Sequence, residues 1–127
     1  MDIRAGQKTI IIVEDEQDAA EMFAEMMRVN GFRVLKATGS KPAMNMIDDE
    51  QPAAVILDIM MPDISGLEVL RHIQRTEGLA KIPVIVVSAK CLPADIKTGL
   101  EAGASIYLTK PVDYLDLKQA VEKVLDT

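Results

Sequence analysis

Short uninterrupted runs of aliphatic residues alternate along the chain with longer stretches in which apolar positions recur three and four residues apart. The runs are Thr9 to Val13, a weaker Phe32 to Ala37, Ala53 to Leu57, Pro83 to Val87 and Ser105 to Thr109. Their length and lack of polar alternation predict strands buried on both faces. Between them, Gln17 to Asn30 places Ala20, Phe23 and Met27 on one helical face before Gly31 stops it. Ser40 to Asp49 turns Ala43, Met46 and Ile47 inward and is entered through Pro42. A third helix opens on the S-x-x-E capping box Ser65-Gly66-Leu67-Glu68 and carries Leu67, Leu70 and Ile73 inward as far as Gly78. Pro93 to Ala102 reads as a shorter helix ending at Gly103. Asp113 caps a last one, with Leu115, Ala120, Val121 and Val124 among its apolar positions.

Five such β-then-α units predict a parallel sheet covered on both faces, a doubly wound, flavodoxin-like (βα)5 α/β domain with strand order 2-1-3-4-5. At 127 residues, 49% hydrophobic and 27% charged, the chain suits one globular domain with a substantial core. No repeat, linker or low-complexity tract divides it, so a single domain over 1–127 with a folded core of 8–125 is expected. The sequence stops soon after the fifth helix, and a stand-alone module without an output domain is the corresponding expectation.

Charge and composition then remove whole classes of function. The net charge of −6, from 20 acids against 14 bases without a dense Lys/Arg cluster, disfavours direct nucleic-acid binding. Cys91 is the single cysteine, which excludes an internal disulfide or a cysteine-rich metal site and suits a reducing compartment. Met1 to Lys8 is polar, and no apolar stretch reaches the ~18 residues of a membrane span. A soluble, cytoplasmic protein that does not enter a membrane is expected.

Chemistry gathers at the strand ends. Thr9 to Val13 meets Glu14-Asp15, Ala53 to Leu57 meets Asp58, Val84 to Val87 meets Ser88, and Ser105 to Thr109 meets Lys110-Pro111. Ligands of doubly wound sheets bind beyond the carboxyl ends of the strands where strand order reverses, here between strands 1 and 3, so the sequence-distant acids become neighbours. Crowded carboxylates resist ionisation unless a cation joins them, and oxygen donors without His or Cys select Mg²⁺, with Mn²⁺ as a substitute. Lys110 offers a point charge, and the Ser88 hydroxyl a hydrogen bond, to phosphoryl oxygens. Phosphoryl transfer needs little beyond such a clamp and an in-line nucleophile, for which Asp58 is the candidate.

Four segments carry a resemblance: Ile11-Ile12-Val13-Glu14-Asp15-Glu16, Leu57-Asp58-Ile59-Met60-Met61-Pro62-Asp63, Val87-Ser88-Ala89 and Tyr107-Leu108-Thr109-Lys110-Pro111. Together they resemble the response-regulator receiver domains of two-component signalling, over Lys8 to Leu125. The resemblance implies that Asp58 accepts a phosphoryl group from a histidine kinase or histidine phosphotransfer protein. It implies Mg²⁺ held by Asp15, Asp58 and the Met60 backbone carbonyl, with Glu14 acting through water. Lys110 and Ser88 would hold the phosphoryl oxygens, Tyr107 would be the aromatic switch, and Lys110-Pro111 a cis peptide. Glu14 stands where many members have Asp, and Ser88 where many have Thr; Met60 and Lys90 occupy the variable positions that tune dephosphorylation in the family. A regulatory domain is implied, not a turnover enzyme beyond its own phosphorylation and dephosphorylation. Its output surface would be the face of the fourth helix, fifth strand and fifth helix, open to a downstream protein or to a phosphorylation-linked homodimer.

Other readings weigh less. An Asp-dependent phosphohydrolase of similar fold needs a second Asp two residues after the nucleophile, where this chain has Met60. A nucleotide or flavin binder needs a glycine-rich loop after the first strand, where Glu14-Asp15-Glu16-Gln17-Asp18 is anionic. A receiver that works without phosphorylation would have lost one of the acids, Ser88 or Lys110. Glu14-Asp15-Glu16 could also serve a helix dipole, and Asp58 a helix cap. His72 reads as a surface residue, the eight methionines as adaptable packing, and Cys91 has no assigned role. Lys110, with a stem expected only at the edge of the fold, should matter more to a phosphorylated state than to stability.

Overall fold

The computed structural model describes residues 7–61 and 65–125. Its elements alternate as β1 (Thr9–Val13), α1 (Gln17–Arg28), β2 (Arg33–Ala37), α2 (Ser40–Glu50), β3 (Ala54–Leu57), α3 (Gly66–Arg75), β4 (Val84–Ser88), α4 (Pro93–Glu101), β5 (Ile106–Thr109) and α5 (Tyr114–Leu125). The strands pair in parallel in the order β2-β1-β3-β4-β5. Pro62 and Asp63 of the segment quoted around Asp58 lie outside the described residues.

Side chains of a strand alternate between faces, so a strand buried on both needs apolar residues at every position. Ile10, Ile12, Ala54, Ile56, Ile85 and Val87 pack with Ala20, Phe23, Met27, Leu117 and Val121 of α1 and α5. Ile11, Val13, Val55, Leu57, Val84 and Val86 pack on the other face with Ala43, Ile47, Val69, Leu70 and Ile73 of α2 and α3. Each Val, Leu, Ile, Phe or Met among them contributes about 1.5–3 kcal/mol on burial, which holds the three central strands firmly. α4 is attached more thinly: Gly99 is its one buried residue. Elements with so few buried contacts open at the low end of a protein's local stability range.

Local readings shift against the structure at several places: the edge strands β2 and β5, lying at the two ends of the sheet, are only partly buried, and α3 ends at Arg75 rather than Gly78. α1 stops at Arg28 rather than Asn30, because the Asn30 side chain donates to the Met26 carbonyl at 2.7 Å and to the Tyr114 hydroxyl at 2.9 Å. Only the serine half of the capping box forms. Ser65 Oγ accepts from the Leu67 N–H at 3.2 Å, whereas Glu68 turns to Arg71 at 2.8 Å. In α5, Leu117 rather than Leu115 takes the core position, and Leu115 is 60% exposed. Asp113 caps that helix as expected, accepting from the Asp116 N–H at 2.9 Å. No helix among the described residues is long and apolar enough to cross a membrane.

Candidate functional site

Parallel pairing sets the carboxyl ends of β1, β3, β4 and β5 along one edge. Val13 is in register with Leu57, and Leu57 with Val86, so the next residues, Glu14 and Asp58, stand side by side. The ladder continues one residue past the strands. The Glu14 N–H donates to the Ala37 carbonyl at 3.1 Å and the Asp58 N–H to the Val13 carbonyl at 2.9 Å, fixing the backbone beneath both carboxylates. One oxygen each of Glu14, Asp15 and Asp58 lies within 4.8 Å of the others. Glu14 and Asp58 are buried, and Asp15 faces solvent.

Glu16 does not join them. Its carboxylate accepts from the N–H groups of Asp18 at 3.1 Å and Ala19 at 2.7 Å, capping α1 at its electropositive end. The acidic run therefore divides between a site and a cap.

Lys110 reaches in from the end of β5. Its Nζ donates to Glu14 Oε1 at 2.7 Å and to Asp58 Oδ2 at 3.0 Å, while Asp58 Oδ1 accepts from the Met60 N–H at 2.9 Å. The Lys110 N–H donates to the Ser88 carbonyl at 2.8 Å, and the Lys110-Pro111 peptide is cis. Burial pushes the Glu14 carboxyl above the ordinary carboxylate range; the Lys110 bond opposes this and the Asp58 charge adds to it. Burial pulls the Lys110 ammonium down, but its bonds to Glu14 and Asp58 outweigh that and hold it above its usual value.

Lys110 is thus more than the edge contact read from the sequence, because it is the counter-ion of two buried carboxylates. Lys110→Ala should lower stability in metal-free buffer by about 1–2 kcal/mol, less than for a fully buried pair because the lysine is 27% exposed. Thermal unfolding in chelator measures this. Added Mg²⁺ should restore much of the loss, and an unchanged melting temperature would show that Lys110 carries no such role.

Ser88 is completely buried, and its Oγ accepts from the Lys90 N–H at 3.1 Å. The carbonyl of the same Lys90 accepts from the Tyr107 hydroxyl at 2.7 Å, which also lies within reach of the Ser88 side chain. Burial raises the Tyr107 phenol, and the Ser88 bond works against this. One residue, Lys90, therefore ties the Ser88 hydroxyl to Tyr107, through the N–H on one side of its Cα and the carbonyl on the other. No pattern in the sequence marked Lys90 for this backbone part.

Gly66 was also missed as a contributor. A Cβ there would stand 2.5 Å from Ile59 Cα and 2.6 Å from the Asp58 carbonyl oxygen, so only glycine lets α3 start directly against the Asp58 backbone. Its N–H donates to the Ile59 carbonyl at 3.0 Å. The glycine inside the capping-box tetrapeptide was the available signal. His72 stays apart from the site; its Nε2 lies 2.7 Å from Asp48 Oδ1 and links α3 to α2. Cys91 is exposed.

Three carboxylates against one ammonium leave two formal negative charges in a space built of oxygen donors, which fits a hard divalent cation and not a soft one.

A family model described as the response regulator receiver domain matches residues 10–122. The phosphate regulon transcriptional regulatory protein PhoB of Pseudomonas aeruginosa is 37% identical over 93% of this chain and 52% of its own length. The chain thus spans about half of that relative. The polar-differentiation response regulator DivK of Brucella ovis is 29% identical over 83% of this chain and 85% of its own. Among solved structures, a CheY-like response regulator receiver domain protein from Methanospirillum hungatei superposes with a TM-score of 0.89 at 26% identity, covering 95% of each chain. With the motif segments, the 2-1-3-4-5 sheet and the acid-lysine cluster all in place, the chain belongs to the response regulator receiver domain family, whose members are regulatory, phosphorylation-activated switches.

Proposed function

We propose that Asp58 is the phosphoacceptor of this receiver domain. The observation that carries the reading is a buried carboxylate at a strand end, pressed against Glu14 and Asp15 and bridged by Lys110. An Asp58 oxygen attacks the phosphorus of a phosphohistidine on a histidine kinase or histidine phosphotransfer protein. The new O–P bond forms as the N–P bond breaks, and the electron pair leaves with the imidazole nitrogen. The ammonium of Lys110 and the hydroxyl of Ser88 then take phosphoryl oxygens, and water later releases phosphate by the same in-line route.

Glu14, Asp15, Asp58 and the Met60 backbone carbonyl would hold Mg²⁺, or Mn²⁺ in its place. When bound, the ion supplies the positive charge that lets phosphoryl and carboxylate oxygens approach one another. The phosphorylated site acts on the exterior through Ser88 and Tyr107, and the face of α4, β5 and α5 receives a downstream protein or a second copy of the chain. The cytoplasm is the matching location, since its donors are intracellular kinases.

Incubation with a small acyl phosphate donor and Mg²⁺ should add a single phosphoryl group by intact mass, and peptide mapping should place it on Asp58. Undiminished labelling in chelator, or a label mapped elsewhere, would overturn the assignment.

A further inference from the structure

Gly99 is out of place by every local rule. It sits inside α4, where glycine is disfavoured against alanine by on the order of fivefold in the folding equilibrium, and it is nevertheless the residue by which α4 is buried. A Cβ built on Gly99 would lie 2.8 Å from both Cδ2 and Cε2 of Tyr107. Beyond its chain neighbours and the helix's own backbone, it would meet nothing else within 4 Å. The clash is therefore confined to one edge of one ring. That ring is the one whose hydroxyl is held by the Lys90 carbonyl at 2.7 Å.

We propose that Gly99 is a positioning residue of the switch: the missing side chain is the seat on which the Tyr107 ring rests, and its emptiness sets how far the ring can enter beneath α4. The inference rests on the reading of Tyr107 as the residue that transmits the state of Asp58. Any side chain at position 99 would hold the ring off α4 and break its bond to Lys90, while leaving the carboxylate site untouched. A helix rule is set aside at one position because a neighbouring ring needs the volume.

Gly99→Ala separates this inference from the reading beneath it. The variant should still take up one phosphoryl group from an acyl phosphate with Mg²⁺. Its Tyr107 ring resonances, followed by NMR with ring-labelled tyrosine and assigned against Tyr107→Ala, should differ from wild type and no longer move on phosphorylation. If wild type itself takes up no phosphoryl group, the phosphoacceptor reading fails; if wild type labels and the ring of Gly99→Ala moves on phosphorylation as in wild type, the seat fails. Stability gives an independent arm. In a Tyr107→Ala background, Gly99→Ala should raise the melting temperature as a simple helix substitution does, whereas beside the intact ring it should give little or no gain. Equal gains in both backgrounds would overturn the proposal. Should Gly99→Ala alone fail to fold, the double variant must fold, because the only obstacle has gone; a double variant that stays unfolded would equally overturn it.

Discussion

Asp58→Asn should take up no phosphoryl group from any donor and yet melt at a higher temperature than the unmodified protein in metal-free buffer. The first half follows from removing the proposed nucleophile, since an amide does not form a stable acyl phosphate at this position. The second follows from electrostatics. Glu14 is buried, and the charge on Asp58 adds to the burial that already raises its carboxyl. Replacing that charge by a neutral amide lifts the repulsion, while the amide oxygen remains an acceptor for a neighbouring donor. A gain of about 1 kcal/mol, or about 2–6 °C, is expected. Intact mass after acyl phosphate treatment checks the chemistry, and scanning calorimetry in chelator checks the stability. A variant that labels as fully as wild type would remove Asp58 from its role, and one that melts lower would mean that Asp58 supports the fold on balance.

Ser88→Ala should leave Asp58 open to phosphorylation but deaf in its consequence. The buried Ser88 hydroxyl holds the Lys90 N–H, and the Lys90 carbonyl holds Tyr107. On the proposed reading, a phosphoryl group on Asp58 would offer that hydroxyl a charge-assisted hydrogen bond, worth about 1.5–3 kcal/mol, re-aiming the Lys90 backbone and with it the partner of Tyr107. A bond of that size shifts a two-state equilibrium roughly ten- to a hundredfold, enough to bias the ring strongly without making the change all-or-none. Alanine removes the contact and forfeits that factor. The measurement is the phosphorylation-dependent displacement of the Tyr107 ring signals in the two proteins, each at full occupancy of Asp58. A displacement of wild-type size in Ser88→Ala would show that the signal leaves Asp58 by another path.

Most of this architecture was legible because burial on both faces leaves an unmistakable trace. Thr9 to Val13, Ala54 to Leu57 and Val84 to Ser88 are aliphatic at nearly every position, and a parallel sheet with helices on both sides is the arrangement that uses such strands. The candidate site was legible for a related reason: Asp58 and Lys110 interrupt or end apolar runs where a charge must have a purpose. What escaped was whatever depends on direction rather than on residue type. Glu14 and Glu16 are chemically alike, two positions apart, and no periodicity tells which turns into the site and which caps α1. Leu115 and Leu117 are equally good core candidates until the phase of α5 is known. The ion pair of Glu68 with Arg71 outcompeted the second half of a capping box that the residues alone favour. Lys110 was placed correctly in the chain but undervalued, because its partner Glu14 lies 96 residues away.

That same separation bears on how the protein comes into being. The salt bridge between Lys110 and Glu14 joins the first strand to the last, so the clamp around Asp58 does not exist until β5 has docked against β4 and closed the sheet. A chain with β1 and β3 in place but β5 undocked would carry its acids without their ammonium, and a contact across 96 residues is entropically costly to close. On the proposed reading of Asp58, the full clamp that would hold a phosphoryl group is therefore present only in the completely folded chain. Copies lacking the β5 end would lack the Lys110 arm of that clamp, and the binding of an ion or a phosphoryl group at this one edge would stabilise the whole sheet, not a local patch.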